Sequence, residues 1–173
     1  MRGIVLGAVV AVLIVGGHPV SATVPGAPCD SVTGGGFIIG SGADRSSGLA
    51  AGAKATFGVG GGAKNGAFWG HLEYNDHSTT PPLQVHGTSV TNYTTFGSNL
   101  NSRMIQGIAE VNGVGGFIYT VEVTDNADPG GGIDEFSIEL STGYMAGTEH
   151  GDGRLAGGNI QLHKPNPSTT TCP

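Results

Sequence analysis

The sequence predicts an all-β protein, a two-sheet antiparallel β-sandwich of about eight strands preceded by a cleaved signal peptide. Three observations lead there. Apolar and polar residues alternate with period two in several short runs, the pattern of strands with one buried face. Turn-forming Gly, Pro and Asn fall between those runs. Beyond residue 22 no apolar stripe follows the helical period.

The elements are justified in chain order. Arg2 is followed by twelve apolar or Gly residues, Ile4 to Val15. That run is shorter than the roughly 20 residues needed to span a bilayer. It fits the apolar region of a secretory signal, with Val20-Ser21-Ala22 as the small-residue cleavage site, so cleavage is expected after Ala22. The expected organisation is a signal peptide over 1–22, an N-terminal strap over 23–31, the sandwich over 32–164 and a C-terminal strap over 165–173. A stable membrane anchor is not expected. Strands are expected at Val32–Ile39, Ala53–Val59, Ala67–Asn75, Leu83–Tyr93, Met104–Val111, Gly116–Thr124, Glu135–Ser141 and Ala156–Lys164. In "FIYTVEV" Phe117, Tyr119, Val121 and Val123 share one face. In "EFSIEL" Phe136, Ile138 and Leu140 do. Asn112-Gly113 is a hairpin signal, and Pro81-Pro82 and Pro129-Gly130-Gly131-Gly132 interrupt the chain as loops. A closed barrel is the alternative architecture.

Without Arg2 the mature chain carries six Lys/Arg against thirteen Asp/Glu, a net charge of −7. Nucleic acid is excluded as a partner, because its binding rests on basic patches and no Lys/Arg run occurs. The two cysteines, Cys29 and Cys172, are expected to form one disulfide clasping the ends of an exported, monomeric domain. Free thiols or links between subunits are the competing reading. Glycine runs inside strands, as in "VTGGGFI" and "LAGGNI", read as bulges and close backbone approach, with a bare ligand-binding surface as the alternative.

The segments "VTGGGFI", "ATFGVGG", "GHLEYNDH", "VHGTSVT", "VNGVGGFIYTVEVTDNADPG", "DEFSIEL" and "LAGGNIQLH" follow one another in a recognisable order. From about Val32 to His163 the sequence resembles the small domain that follows choice-of-anchor A domains in bacterial surface proteins. The resemblance implies a secreted all-β accessory module and brings no catalytic residues with it. With no anchor domain or sorting signal in the sequence, a free-standing exported form is expected.

Several constellations could carry chemistry. In "TDNADPGGGIDEF" Asp125, Asn126, Asp128 and Asp134 supply hard oxygen donors from one loop, which makes them a calcium candidate. Turn chemistry in a solvated loop is the plainer reading of the same residues. His71, Asp76, His77, His86 and His163 could converge across strands on a transition metal, but no H-x-x-x-H spacing supports it and His150 stands apart. No nucleophile elbow is present. Asp134 and Glu135, as strand neighbours, point to opposite faces, as do Glu73 and Asp76. Catalysis is therefore not expected. Trp69, the single tryptophan, is a candidate sugar-stacking platform with Tyr74. The functional expectation is a secreted, non-catalytic module that binds, adheres or supports outside the cell. Its ligand would be a glycan or a protein, and its one candidate cofactor is calcium. A metal-dependent extracellular hydrolase and a subunit of an extracellular assembly are the alternatives.

Overall fold

The computed structural model describes residues 27–42, 48–129 and 131–165. The expected signal peptide, residues 23–26 of the N-terminal strap and residues 166–173, Cys172 among them, lie outside the described residues.

Among the described residues nine strands form one antiparallel sheet. They are β1 (Ser31–Ile39), β2 (Lys54–Lys64), β3 (Ala67–Asp76), β4 (Leu83–Thr95), β5 (Ser102–Val111), β6 (Val114–Thr124), β7 (Glu135–Leu140), β8 (Met145–Gly147) and β9 (Gly157–His163). Their order is β8-β7-β6-β5-β4-β3-β2-β1-β9. The first eight strands lie side by side in sequence order, and β9 returns to pair with β1. Apart from the strands, one short 3-10 turn covers Thr148–His150. Among the described residues no helix is long and apolar enough to cross a membrane.

All-β character is therefore as predicted, but the two sheets are not: a single curled sheet, a half-barrel, takes their place. The reason lies in the connections. A sandwich needs chain crossings from one sheet to the other, and here each connection from β1 to β8 returns to the adjacent strand. Curvature comes from bulges. The β4–β5 register slips between Gly87 and Ser89 and again between Val90 and Asn92, and the β5–β6 register slips between Ala109 and Val111. Each bulge adds local twist and bends its strand. The curl brings distant strands face to face. Phe57 of β2 stacks on Phe136 of β7 with ring centroids 3.8 Å apart, although four strands separate them in the sheet.

Period two holds along the strands. Tyr119, Val121 and Val123 are buried inside while Ile118 is 53% exposed outside. Leu72 and Tyr74 are buried while His71 and Glu73 are exposed. Two hairpins turn through left-handed pairs, Asn65-Gly66 and Asn112-Gly113. The first lets β2 run to Lys64, five residues past its expected end. The glycines of β1 and β9 follow the close-approach reading: a Cβ on Gly36 would overlap the Gly157 carbonyl oxygen, and one on Gly158 would overlap that of Gly35.

Candidate functional site

The acidic loop between β6 and β7 closes the half-barrel. β9 ends the sheet, so one of its edges has no partner strand among the described residues. The N–H groups of Ile160 and Leu162, alternate residues, leave the strand on that same edge. Asp134 Oδ2 accepts the first at 2.8 Å and Asp125 Oδ2 accepts the second at 2.8 Å. The other oxygen of Asp134 accepts the N–H groups of Asn126 at 2.9 Å and Ala127 at 3.3 Å. A backbone bond from Leu155 N–H to the Asp134 carbonyl continues the seam, while Ala156 N–H bonds the Phe37 carbonyl on the β1 side. Asp134 is fully buried, Asp125 and Asn126 are half-buried, and Asp128 is exposed with Gln161 Nε2 donating to it at 3.1 Å. The Asn126 side chain donates to the Ile133 carbonyl. The like charges of this loop are thus held apart by the backbone amides that two of them serve. Among the described residues no group of three or more His, Cys, Asp or Glu is placed to hold a metal ion.

Other buried carboxylates do comparable work. Asp152 accepts the N–H of Ser41 at 3.1 Å and that of Gly147 at 2.8 Å, tying the loop after β1 to β8. Asp76, fully buried, accepts from Ser78 N–H and from the Tyr144 hydroxyl at 3.0 Å. With its proton committed to Asp76, Tyr144 accepts from the Tyr74 hydroxyl at 2.7 Å. Burial, with the charges and bonds of Tyr74 and Asp76, pushes the Tyr144 hydroxyl far above its ordinary value.

Asp30 lies just before β1 and binds Arg103 at the start of β5 through both carboxylate oxygens, one of them at 2.9 Å from Nε. Tyr93 donates to Asp30 at 2.7 Å. The remaining Arg103 bonds go to the carbonyls of Leu100 and Ser102. Burial alone would raise the Asp30 carboxyl; the bonds from Arg103 and Tyr93 and the Arg103 charge outweigh it and hold the carboxyl below its usual range. Nothing in the sequence pattern links these residues, which stand 73 positions apart.

The histidines have separate surroundings. Glu73 and His86 are directly opposite on β3 and β4 and pair at the surface. His77 meets the Thr56 hydroxyl at 3.1 Å, His163 meets the Thr33 hydroxyl at 2.7 Å, and His150 Nε2 is 3.5 Å from Glu139. The His71 ring lies over Gly60.

Trp69 and Tyr74 fall on opposite faces of β3. Tyr74 is fully buried, while Trp69 is 41% exposed on the outside. Five positions apart on one strand, they cannot form one platform. Trp69 instead faces a cleft of about 190 Å³, lined also by Cys29, Asp30, Ser31, Lys64 and Lys164. Sequence reasoning singled out neither lysine; the end of β2 and the end of β9 meet only through β1. No free cysteine occurs among the described residues, and the partner proposed for Cys29 lies beyond them. No protein-family model, curated protein or solved structure matches the chain.

Proposed function

We propose that the chain is a secreted, non-catalytic β module that binds a ligand outside the cell through the cleft beside Trp69. One observation carries this reading: a large aromatic ring, 41% exposed, stands in a concave place lined by polar and charged side chains. Aromatic rings with one open face are the usual contact surface for sugars and for peptide side chains. The use made of the acidic residues supports the non-catalytic part. Asp134, Asp152, Asp76 and Asp30 are each engaged by several donors that hold the fold. The expectation that the module is a monomer is supported by the two ends of the described sheet. β8 has three residues, and two outward amides of β9 are already bonded to Asp125 and Asp134, which leaves little edge for strand addition. The apolar leader, and the resemblance to the domain that follows choice-of-anchor A domains, support export. In the exported chain Cys29 and Cys172 are paired.

Two measurements test the reading. The mature protein should be recovered outside the cell starting at Thr23, with Cys29 and Cys172 joined in one peptide pair; a cytoplasmic protein retaining Met1 would overturn secretion. On insoluble extracellular polysaccharide the wild type should be retained and Trp69→Ala should wash through. Equal retention of the two would remove the cleft from the function.

A further inference from the structure

We infer that the cleft takes an acidic sugar, one uronate residue of a polysaccharide, with Trp69 stacking on the ring and Lys64 and Lys164 engaging the carboxylate. The inference rests on the binding role proposed above and names its ligand class.

Strand register builds the platform. His163, Ser31, Gly62 and Trp69 stand in one row across β9, β1, β2 and β3. Gly62 is the neighbour directly opposite Trp69, and its missing side chain lets the indole lie down on the sheet. A Cβ there would sit 3.0 Å from the indole Nε1 and 3.1 Å from Cε2. Glycine covered by a cross-strand aromatic is a recognised way to support a strand lacking a side chain. Its consequence here is orientation: one side of the ring is held against β2, yet the residue stays 41% exposed. A ring so placed offers a flat, apolar face to the C–H face of a sugar. No described residue accepts a hydrogen bond from the indole N–H, which leaves that donor for a ligand oxygen.

Charge chooses among sugars. The chain carries a formal charge of −6, so most of its surface repels anions. This cleft carries local positive charge. Lys64 and Lys164 line it, both are exposed, and neither is ion-paired with a described residue. The carboxylate that also lines it, Asp30, is already answered by Arg103. A neutral glycan would leave both ammonium groups without use, whereas a uronate places a carboxylate beside the stacked ring. Lysine supplies a point charge without the two-pronged geometry that arginine gives phosphate. The volume of about 190 Å³ is below the roughly 300–1,000 Å³ of sites that enclose whole drug-sized ligands. The cleft therefore holds one ring, and adjoining residues of the polymer lie over the outer face.

The molecule carries its own probe, because Trp69 is the only tryptophan in the chain. The mature protein is titrated with galacturonic acid trimer and with galactose trimer while tryptophan fluorescence is followed. The acidic trimer should give a saturable change, and the neutral trimer should bind at least roughly tenfold more weakly. Lys64→Ala and Lys164→Ala should each weaken binding of the acidic trimer severalfold and together abolish it, with melting temperatures unchanged because both side chains are exposed. Equal binding of the two trimers, or lysine variants that bind as wild type, would overturn the acidic ligand while leaving Trp69 a sugar platform. No fluorescence change with either trimer also overturns it. The polysaccharide retention assay with Trp69→Ala then shows separately whether the broader binding reading stands.

Discussion

Replacing Asp134 should open the seam of the half-barrel. Its carboxylate is fully buried and accepts three backbone N–H groups, from Asn126, Ala127 and Ile160. Asp134→Ala removes every acceptor at once. Ile160 is fully buried, so its amide bears the whole cost of a lost partner, about 1–3 kcal/mol. Asn126 and Ala127 are half-buried and can recover some hydration, so each adds about 1 kcal/mol. The expected loss is about 3–5 kcal/mol, a large share of the roughly 5–15 kcal/mol that holds a domain together. At about 2–4 °C per kcal/mol for a chain of this size, the melting temperature falls by roughly 6–20 °C.

Asp134→Asn distinguishes a seal of this kind from a generic polar requirement. Both carboxylate oxygens accept from N–H groups, and an amide keeps one oxygen only. Its NH2 group would face another donor, so asparagine should rescue little. Asp128→Ala is the control. That side chain is exposed and holds one bond to Gln161, so its removal should cost less than about 0.5 kcal/mol. Urea denaturation followed by far-ultraviolet circular dichroism gives all three numbers. Hydrogen exchange should place the new weakness at the amides of Ile160 and Asn126. The reasoning fails if Asp134→Ala costs under about 1 kcal/mol, or if Asp134→Asn matches the wild type.

Three further outcomes follow from the same structure. Asp30→Asn should cost about 3 kcal/mol at neutral pH, the low end for breaking a buried ion pair, since the Asp30 side chain keeps 16% exposure. Because the folded carboxyl is held below its ordinary value, the wild-type advantage should be full above about pH 4 and disappear as the pH falls further, which paired denaturation curves will show. Glu122 has the opposite sign: burial, then the charges of Glu149 and Glu139, raise its carboxyl, so its ionised form disfavours folding at neutral pH. Glu122→Gln should raise the melting temperature at pH 7, with the gain vanishing as the pH drops towards about 4, and a variant less stable at pH 7 would contradict this. Melting temperatures in millimolar calcium and in chelator should coincide, because amides already occupy oxygens of Asp125 and Asp134. A bound ion present at ten times its dissociation constant would add about 1.4 kcal/mol, and a rise of a few degrees would restore the calcium reading.

What the sequence showed and what it hid separate along a physical line. Strand faces depend on neighbours two positions apart, so "FIYTVEV" and "EFSIEL" displayed their buried sides directly. The same parity put Glu73 opposite Asp76, and applied along β3 it would have put Trp69 opposite Tyr74 rather than beside it. The Asn112-Gly113 turn was legible for the same local reason, and Asn65-Gly66 carried an equal signal that would have extended β2 to Lys64. Sheet closure is different. It is decided by bulges in β4 and by single side chains meeting amides far along the chain, such as Asp125 with Leu162, 37 positions away. No period marks such a bond, and an aspartate that seals an edge reads in one dimension like an aspartate in a solvated turn. β8, three residues long, is shorter than any pattern of alternation can register.

The same limit applies to the cleft, whose lysines stand 100 residues apart in sequence. Only the return of β9 to the edge of β1 joins them, and that return depends on the seam. Asp125 and Asp134 bond the free edge of β9, β1 bonds its other edge, and Lys164 follows β9 directly. The acidic loop therefore positions one side of the cleft without touching it. If so, Asp134→Ala at a temperature where the sheet persists should weaken acidic-sugar binding through Lys164 alone. Combining it with Lys164→Ala should add no further loss of affinity, whereas combining it with Lys64→Ala should. Equal additional loss in both combinations would show that the seam and the cleft are independent.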